Sequence, residues 1–317
     1  MTEAGKPKVL VTGASGAVGR VLVEELARSG VSVRAEVRDP ASVSFPEQVE
    51  VIVGDLRDEE VVRRAVEGVT TIYHFAAKLH INDPADDLRR EYEEVNVGST
   101  RSLIELSECE RFIFASTINV YGAGGPFDEL SPADPSGPYA ETKAEAERLV
   151  LDHPGGTVLR FAAVYGKGMK GNFPKLVSAI RKGMFAYVGA GKNRRTLVYE
   201  RDAVRAAILC ANDERSNGKI YNVTDGEVHT LEEIVVAISK ALGKKPPSIH
   251  LPESLARAAF AGGDVFLKIA GKEMRLTPLI EKINEDIAVD GSLIREELGF
   301  EPEFGLEEGW EEVLSVD

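Results

Sequence analysis

Tyr139 and Lys143 are separated by three residues in the stretch Tyr139-Ala140-Glu141-Thr142-Lys143. On a helix this spacing places both side chains on one face, about one turn apart. A free tyrosine gives up its proton only near pH ~10, and a fixed ammonium beside it favours the phenolate. The pair is therefore a candidate general base for neutral pH. A surface helix can carry the same pair by chance, so its meaning depends on what else the chain supplies.

A second stretch with chemical potential is Gly13-Ala14-Ser15-Gly16-Ala17-Val18-Gly19. Lys8–Thr12 before it reads as a short buried strand, and Arg20–Ser29 after it as a helix. Glycines in this setting suit a tight turn, close backbone approach to a pyrophosphate, and tight packing of helix on strand. The first N–H groups of the helix would face the phosphates. Gly13, Ser15, Gly16, Ala17 and Gly19 are accordingly candidate dinucleotide-binding residues. A merely flexible turn is the competing reading.

The elements that must position these residues alternate. Val31–Val37, Val49–Val53, Thr71–Phe75, Arg111–Ser116 and Thr157–Phe161 read as strands. Glu59–Val66 and Tyr139–Asp152 read as helices, and Leu88–Glu108 as a long amphipathic segment. This rhythm implies an α/β fold, a Rossmann-type doubly wound parallel sheet covered on both faces, with ligands at the carboxyl ends of its strands. Residues 1–165 would form the NAD(P)-binding domain. Residues 166–317 would form a smaller, mostly helical substrate-binding cap, with 197–223 returning to the main body.

At the end of the second strand an acidic side chain would hold the ribose hydroxyls of NAD, and an arginine would favour the 2′-phosphate of NADP. The discriminating position is Val37 and the next residue is Arg38, which leans toward NADP unless Arg38 pairs with Asp39. Glu36 would point the wrong way unless the register shifts by one. NAD and NADP both stay open. Asp55, followed by Leu56, could accept from the adenine amino group or cap the next helix. Ala76 and Ala77 leave space for a cofactor to pass, and His74 reads equally as a core or a functional histidine.

The 317 residues carry 38 basic and 52 acidic side chains, a formal charge of -14. Such a surface repels nucleic acid and anionic membranes. The chain start has no apolar signal core and no stretch approaches membrane-spanning length, so the cytoplasm is expected. Cys109 and Cys210 share no metal-ligand or redox spacing, so both are expected as reduced thiols, and no metal site is expected.

Ala115-Ser116-Thr117-Ile118-Asn119-Val120-Tyr121-Gly122 closes the fifth strand upstream of Tyr139. Together with the glycine turn, Asp55-Leu56, His74–Ala77 and Asn96-Val97-Gly98-Ser99-Thr100, this order resembles the extended short-chain dehydrogenase/reductase family. The resemblance implies that Thr117 orients substrate and that Tyr139 is the acid/base. It implies Lys143 as phenolate stabiliser and ribose contact, and Asn96 near the cofactor. Ser116 is expected to bond to backbone.

The second half is similar to sugar-nucleotide epimerases and 4-ketoreductases of bacterial surface-polysaccharide pathways. The likeness runs through 77–83, 159–168, 170–176, 191–199 and 289–309. It implies that Arg195 contacts a nucleotide diphosphate, which the planar fork of a guanidinium suits. Asn172 at a helix start could donate to the same phosphates. The competing reading is that Arg194 and Arg195 pair with carboxylates. Lys78 and His80 follow the fourth strand, near the expected substrate mouth. Two features depart from the pattern. Ala163 stands where many epimerases have asparagine, and Met274-Arg275-Leu276-Thr277-Pro278 replaces an arginine-proline-glycine-aspartate element. The latter, with Arg38, is similar to hydroxysteroid dehydrogenases and dihydroflavonol reductases.

The expected function is an NAD(P)-dependent 4-epimerase of a UDP-hexose-like substrate, acting by transient oxidation at C4. The alternatives are an NADPH-dependent 4-keto sugar-nucleotide reductase, a hydroxysteroid- or dihydroflavonol-type alcohol dehydrogenase, and a non-catalytic NAD(P)-sensing protein. Relatives dimerise through helices matching Leu88–Glu108 and Ala140–Asp152, so a homodimer is expected.

Overall fold

The apolar residues of Lys8–Thr12 alternate between two cores, and that alternation sets the architecture. In the computed structural model, which describes residues 8–79, 87–169, 171–258 and 285–315, this segment is strand β1. Val9 and Val11 face one helical layer and Leu10 the other, as a strand buried on both sides requires. His80, Ile81, Asn82, Asp83, Lys170 and the stretch 274–278 lie outside the described residues.

From β1 the chain forms α1 (Ala17–Arg28), β2 (Ser32–Val37), β3 (Glu50–Val53), α2 (Glu59–Val66) and β4 (Val69–His74). It continues through α3 (Asp87–Tyr92), α4 (Ser99–Leu106), β5 (Arg111–Thr117), β6 (Gly124–Phe127), α5 (Pro138–Leu151), β7 (Gly156–Phe161) and β8 (Ala163–Tyr165). Then come α6 (Asn172–Arg181), β9 (Tyr187–Val188), β10 (Arg194–Arg195), β11 (Leu197–Tyr199), α7 (Glu200–Asn212) and β12 (Lys219–Val223). The described remainder holds β13 (His229–Thr230), α8 (Leu231–Ala241), β14 (His250–Leu251), β15 (Ile287–Val289), α9 (Ser292–Leu298) and α10 (Leu306–Leu314).

Seven strands make one parallel sheet in the order β12-β7-β5-β4-β1-β2-β3. The chain builds outward from β1 through β2 to β3, then returns to build the other side from β4. The reversal leaves a crevice at the carboxyl ends of β1 and β4, where doubly wound folds bind ligands. Leu22, Leu26, Ala203 and Ala207 of α1 and α7 pack on one face with Val9, Val11, Ile113 and Leu159. Val62, Leu103, Ala146 and Val150 of α2, α4 and α5 pack on the other with Leu10, Ile72, Phe112 and Val158.

The long amphipathic segment is not one α-helix. Between α3 and α4 the residues Glu93–Gly98 form a π-helical turn, whose wider winding brings Asn96 and Val97 inward. In the second half, Tyr165, Tyr187, Leu197, Tyr199, Ile234, Ile238 and Trp310 form a third core. A small sheet, β13-β10-β15-β6, joins segments distant in sequence. Among the described residues no helix is long and apolar enough to cross a membrane.

Candidate active site

The glycine turn closes against the end of β4. Gly13 has φ +64°, a conformation that side chains rarely adopt, and a Cβ there would lie 2.6 Å from the Ala76 nitrogen. A Cβ on Gly19 would strike the Gly13 carbonyl. Gly16 caps α1 without any side-chain hydrogen bond, leaving Ala17 and the residues after it as backbone donors for an anion. These features make a cradle that fits a dinucleotide pyrophosphate, with Ser15 inside the turn and Ala76 and Ala77 beside it.

Glu36 corrects the expectation drawn from the strand end. β2 ends at Val37, and Val33, Ala35 and Val37 all pack into the α1-side core. Glu36 instead turns its carboxylate into the glycine turn, where it accepts from the Gly13 N–H at 3.0 Å. Its own carbonyl accepts from Ala14 N–H at 3.1 Å. Burial raises the Glu36 carboxyl to about 7, opposed by the Gly13 hydrogen bond and the charge of Arg38. The acidic side chain at the end of β2 is therefore present, one position before Val37.

Asp55 was a candidate for the next helix cap, but Asp58 takes that place, accepting from Glu60 N–H. Asp55 is held by Arg57 through Nε at 3.0 Å and Nη2 at 2.6 Å, and these hydrogen bonds keep its carboxyl below the usual range. Leu56 and Arg57 line a cleft of about 460 Å³ with Glu94, Gly98 and Ser102.

His74 belongs to a buried chain whose protons can be assigned from partners. Thr12 Oγ1 accepts from Ala76 N–H at 3.2 Å and lies 2.7 Å from His74 Nδ1. His74 Nε2 lies 3.0 Å from Thr100 Oγ1, which donates to the Asn96 carbonyl at 2.7 Å. Thr100 must then accept from Nε2–H, and because burial keeps the imidazole neutral, Nδ1 accepts from the Thr12 hydroxyl. Burial, helped by the nearby Lys143 charge, lowers its pKa to about 3. His74 is thus a satisfied core histidine linking β1 to the π-helical turn. Asn96 completes the link: its Oδ1 accepts from Lys78 N–H at 2.8 Å, and its Nδ2 donates to Thr142 on α5 at 3.0 Å.

Thr117 ends β5, its side chain accepts from Asn119 N–H at 3.2 Å, and it lies near enough to Tyr139 to favour the phenolate. Burial is the main influence on Tyr139 and raises it to about 12; Thr117 opposes the shift and Tyr92 adds to it. The Tyr92 and Tyr139 rings meet edge to face at 6.5 Å. Lys143 is 1% exposed, with its ammonium 3.7 Å from the centre of the Phe114 ring. Burial lowers Lys143 to about 7, opposed by the charge of Glu147. Burial thus drives both groups toward their neutral forms, and a cation beside the phenol is needed to reverse that for Tyr139.

Ser116 does not bond to backbone as expected. It donates to the carboxylate of Glu147, which also takes Arg160 of β7. Neither Glu147 nor Arg160 was singled out from sequence, although Glu147 lies four residues beyond Lys143 and shares its face.

The substrate-side residues are more loosely built. Lys78 pairs with Glu91 and lies 5.8 Å from the Tyr92 ring centre. Asn172 is exposed at the first position of α6. Arg194 and Arg195 are neighbours on β10 and so point to opposite faces, which excludes a side-by-side clamp from the strand itself. Arg194 pairs with Asp286 at 3.2 Å, fulfilling the carboxylate reading for that residue. Arg195 is paired in register with His229 and Ile287. Burial lowers its pKa and the charges of Glu285 and Asp286 oppose the shift. Ala163 lies on β8, opposite Leu197 of β11.

Strand order, glycine cradle and the Thr117–Tyr139–Lys143 grouping define a nicotinamide-dinucleotide enzyme fold of the short-chain dehydrogenase/reductase kind. Residues 9–224 match the NAD dependent epimerase/dehydratase family, and the chain belongs to it. An N-acetyl-alpha-D-glucosaminyl-diphospho-ditrans,octacis-undecaprenol 4-epimerase from Escherichia coli O157:H7 is 28% identical over 98% of this chain and 95% of that protein. A 3 beta-hydroxysteroid dehydrogenase/Delta 5-->4-isomerase from Mycobacterium tuberculosis (strain H37Rv) is 29% identical over 99% of this chain and 90% of that protein. Among solved structures, MoeE5 in complex with UDP-glucose and NAD is 27% identical, with a TM-score of 0.76 and 97% of each chain covered.

Proposed function

We propose that the protein is a 4-epimerase of a sugar carried on a diphosphate, a UDP-hexose in the simplest case, using NAD. The observation that carries this reading is the grouping of Thr117, at the carboxyl end of β5, with the buried Tyr139, one helical turn from Lys143 and two strands from the glycine cradle. The names of the Escherichia coli relative and of the MoeE5 complex both specify a sugar on a diphosphate. Arg195, a cation held in the second half, offers a fork for that group.

NAD, held by the glycine turn, would supply the hydride acceptor and donor. In this reading Tyr139 as phenolate takes the proton of the sugar 4-hydroxyl, while Thr117 holds the same oxygen by its hydroxyl. Lys143 as a cation opposes the burial that would keep Tyr139 protonated. Once the 4-keto sugar has turned over and hydride returns to the other face of C4, Tyr139 gives its proton back to the 4-oxygen. Positioning is the chief contribution of the chain, since the reacting atoms must be held in near-attack geometry. We also place the protein in the cytoplasm, as a homodimer, on the resemblance alone.

Incubation with UDP-glucose should yield its 4-epimer with no net change in reduced-cofactor absorbance. Stoichiometric consumption of NADPH with a 4-keto sugar would replace this reading with the reductase. A second reading, an alcohol dehydrogenase of hydroxysteroid type, is favoured by the Mycobacterium tuberculosis relative. UDP should raise the midpoint of thermal unfolding if the sugar reading holds, and an unmoved midpoint favours the steroid one.

A further inference from the structure

Glu147 lies four residues beyond Lys143 on α5, the spacing at which helical side chains meet. It is 3% exposed, yet both its carboxylate oxygens are engaged by groups from other strands. Arg160 of β7 donates from Nε at 3.0 Å and from Nη2 at 2.7 Å, and Ser116 of β5 donates its hydroxyl. Arg160 is itself 5% exposed and stacks over Tyr121, 4.6 Å from the ring centre. A buried ion pair is a poor source of stability, because apolar side chains of the same volume usually serve as well. Its location is therefore the informative feature. Ser116 precedes Thr117, so the pair is fastened directly behind the Thr117–Tyr139–Lys143 grouping.

The groups facing Lys143 are few. Tyr139 and Glu147 share its helix, the neutral His74 faces it from β4, and Phe114 of β5 offers only a ring face. Glu93 and Glu94 of the π-helical turn are paired with Arg89 and Arg90. Arg160 reaches the same carboxylate from β7. Glu147 is thus the one carboxylate among these that can offset the burial of the Lys143 ammonium, and Arg160 competes for it.

We propose that the Glu147–Arg160 pair, fixed by Ser116, is a positioning device that sets how readily Lys143 holds its proton: Glu147 favours the cation and Arg160 limits that support. The device matters for catalysis only if Lys143 serves Tyr139 as proposed above. Its effect on Lys143 can be read without turnover.

The test is a pH titration of the Lys143 side chain by carbon-nitrogen correlated NMR in protein labelled on lysine, with the resonance assigned by its loss in Lys143→Met. Glu147→Gln removes the supporting charge and should lower the Lys143 midpoint by about one unit or more. Arg160→Gln frees Glu147 and should raise it by a comparable amount. A purely structural pair would move neither midpoint, or both in one direction, and either result overturns the proposal. Should a single variant fail to fold, Glu147→Gln/Arg160→Gln removes both charges while keeping two hydrogen-bonding amides. Its midpoint should fall below that of the parent, because Glu147 is the charge that supports the Lys143 ammonium, and an unchanged midpoint overturns the proposal. If the midpoints move as expected while the alkaline limb of turnover stays put, the proposal stands and the role of Lys143 in the proposed reaction fails.

Discussion

Two buried bases in this protein each have a carboxylate four residues away, and the outcomes are opposite. Lys143 has Glu147, yet burial dominates and lowers it to about 7. His229 has Asp225, and there burial also lowers, but the hydrogen bond at 2.7 Å and the Asp225 charge prevail, so the imidazole is raised above its ordinary value. The difference lies in contact and in what else each carboxylate serves: Asp225 touches His229 directly, whereas Glu147 acts on Lys143 only by its charge, without an ion pair. Glu147 is shared with Arg160 and Ser116. Asp225 keeps Oδ2 for His229 and gives Oδ1 only to the backbone N–H of Glu227. A carboxylate stabilises a buried cation in proportion to how little it is already neutralised. The sheet half thereby holds a lysine whose proton is easily lost. In the second half, where His229 pairs in register with Arg195, the carboxylate instead favours the protonated imidazole.

The largest effect should fall on the proton-handling side. Tyr139→Phe is expected to lower turnover by roughly 10²- to 10⁴-fold while NAD affinity stays within a few-fold. Asp225→Asn, by contrast, should leave turnover within a few-fold. Steady-state rates together with NAD titration check both. Near-native turnover in Tyr139→Phe would remove the functional half of the comparison.

The unequal legibility of the two regions in the sequence has the same origin. The spacing of Tyr139 and Lys143 is a local fact of a helix, and the glycine turn between β1 and α1 is equally local, so both could be read from the chain. The face on which Glu36 lies could not be read reliably, because it depends on Val33, Ala35 and Val37 packing against α1. The π-helical turn at Glu93–Gly98 also escaped, since the polar-apolar pattern runs through it. Arg194 and Arg195 sit on a two-residue strand whose neighbours come from His229–Thr230 and Ile287–Val289. No local pattern announces such a pairing. Glu147 is intermediate: its spacing from Lys143 was visible, but its capture by Arg160 and Ser116 requires two strands and a helix to be assembled.

A smaller effect should appear in stability. Lys143 is depressed from 10.5 to about 7 in the folded protein. Below pH 7 it is charged in both states, and the folded state bears the full cost of burying it, on the order of 4–5 kcal/mol. Between about 7 and 10.5 the unfolded chain binds the proton and the folded protein does not, so stability rises with pH in that window. Lys143→Met removes the cost but also forfeits the ammonium–Phe114 contact, worth about 2 kcal/mol when desolvated. The variant without cofactor should thus be more stable than the parent by roughly 2–3 kcal/mol at pH 6.5, with the gap closing by about 1.4 kcal/mol per pH unit above 7. Urea denaturation at pH 6.5 and 9 measures it, and a gap independent of pH would mean that Lys143 is not depressed.

The smallest effect sharpens the contrast because its slope has the opposite sign. His229 is raised in the folded protein, so its pairing stabilises fully below the unfolded midpoint of about 6.5, and that contribution is lost as pH rises through the higher folded midpoint. Asp225→Asn should therefore cost roughly 1–2 kcal/mol at pH 5.5, the range of a hydrogen bond to a charged group, and progressively less as the solution is made alkaline. The same urea series would show it. The residue change retains a side chain that can still hydrogen bond to Glu227 N–H, so the pH-dependent part isolates the charge. Paired with Lys143→Met, this gives two substitutions whose penalties run in opposite directions along one pH axis. If both differences followed the same slope, the sharing of Glu147 with Arg160 could not be what separates the two sites.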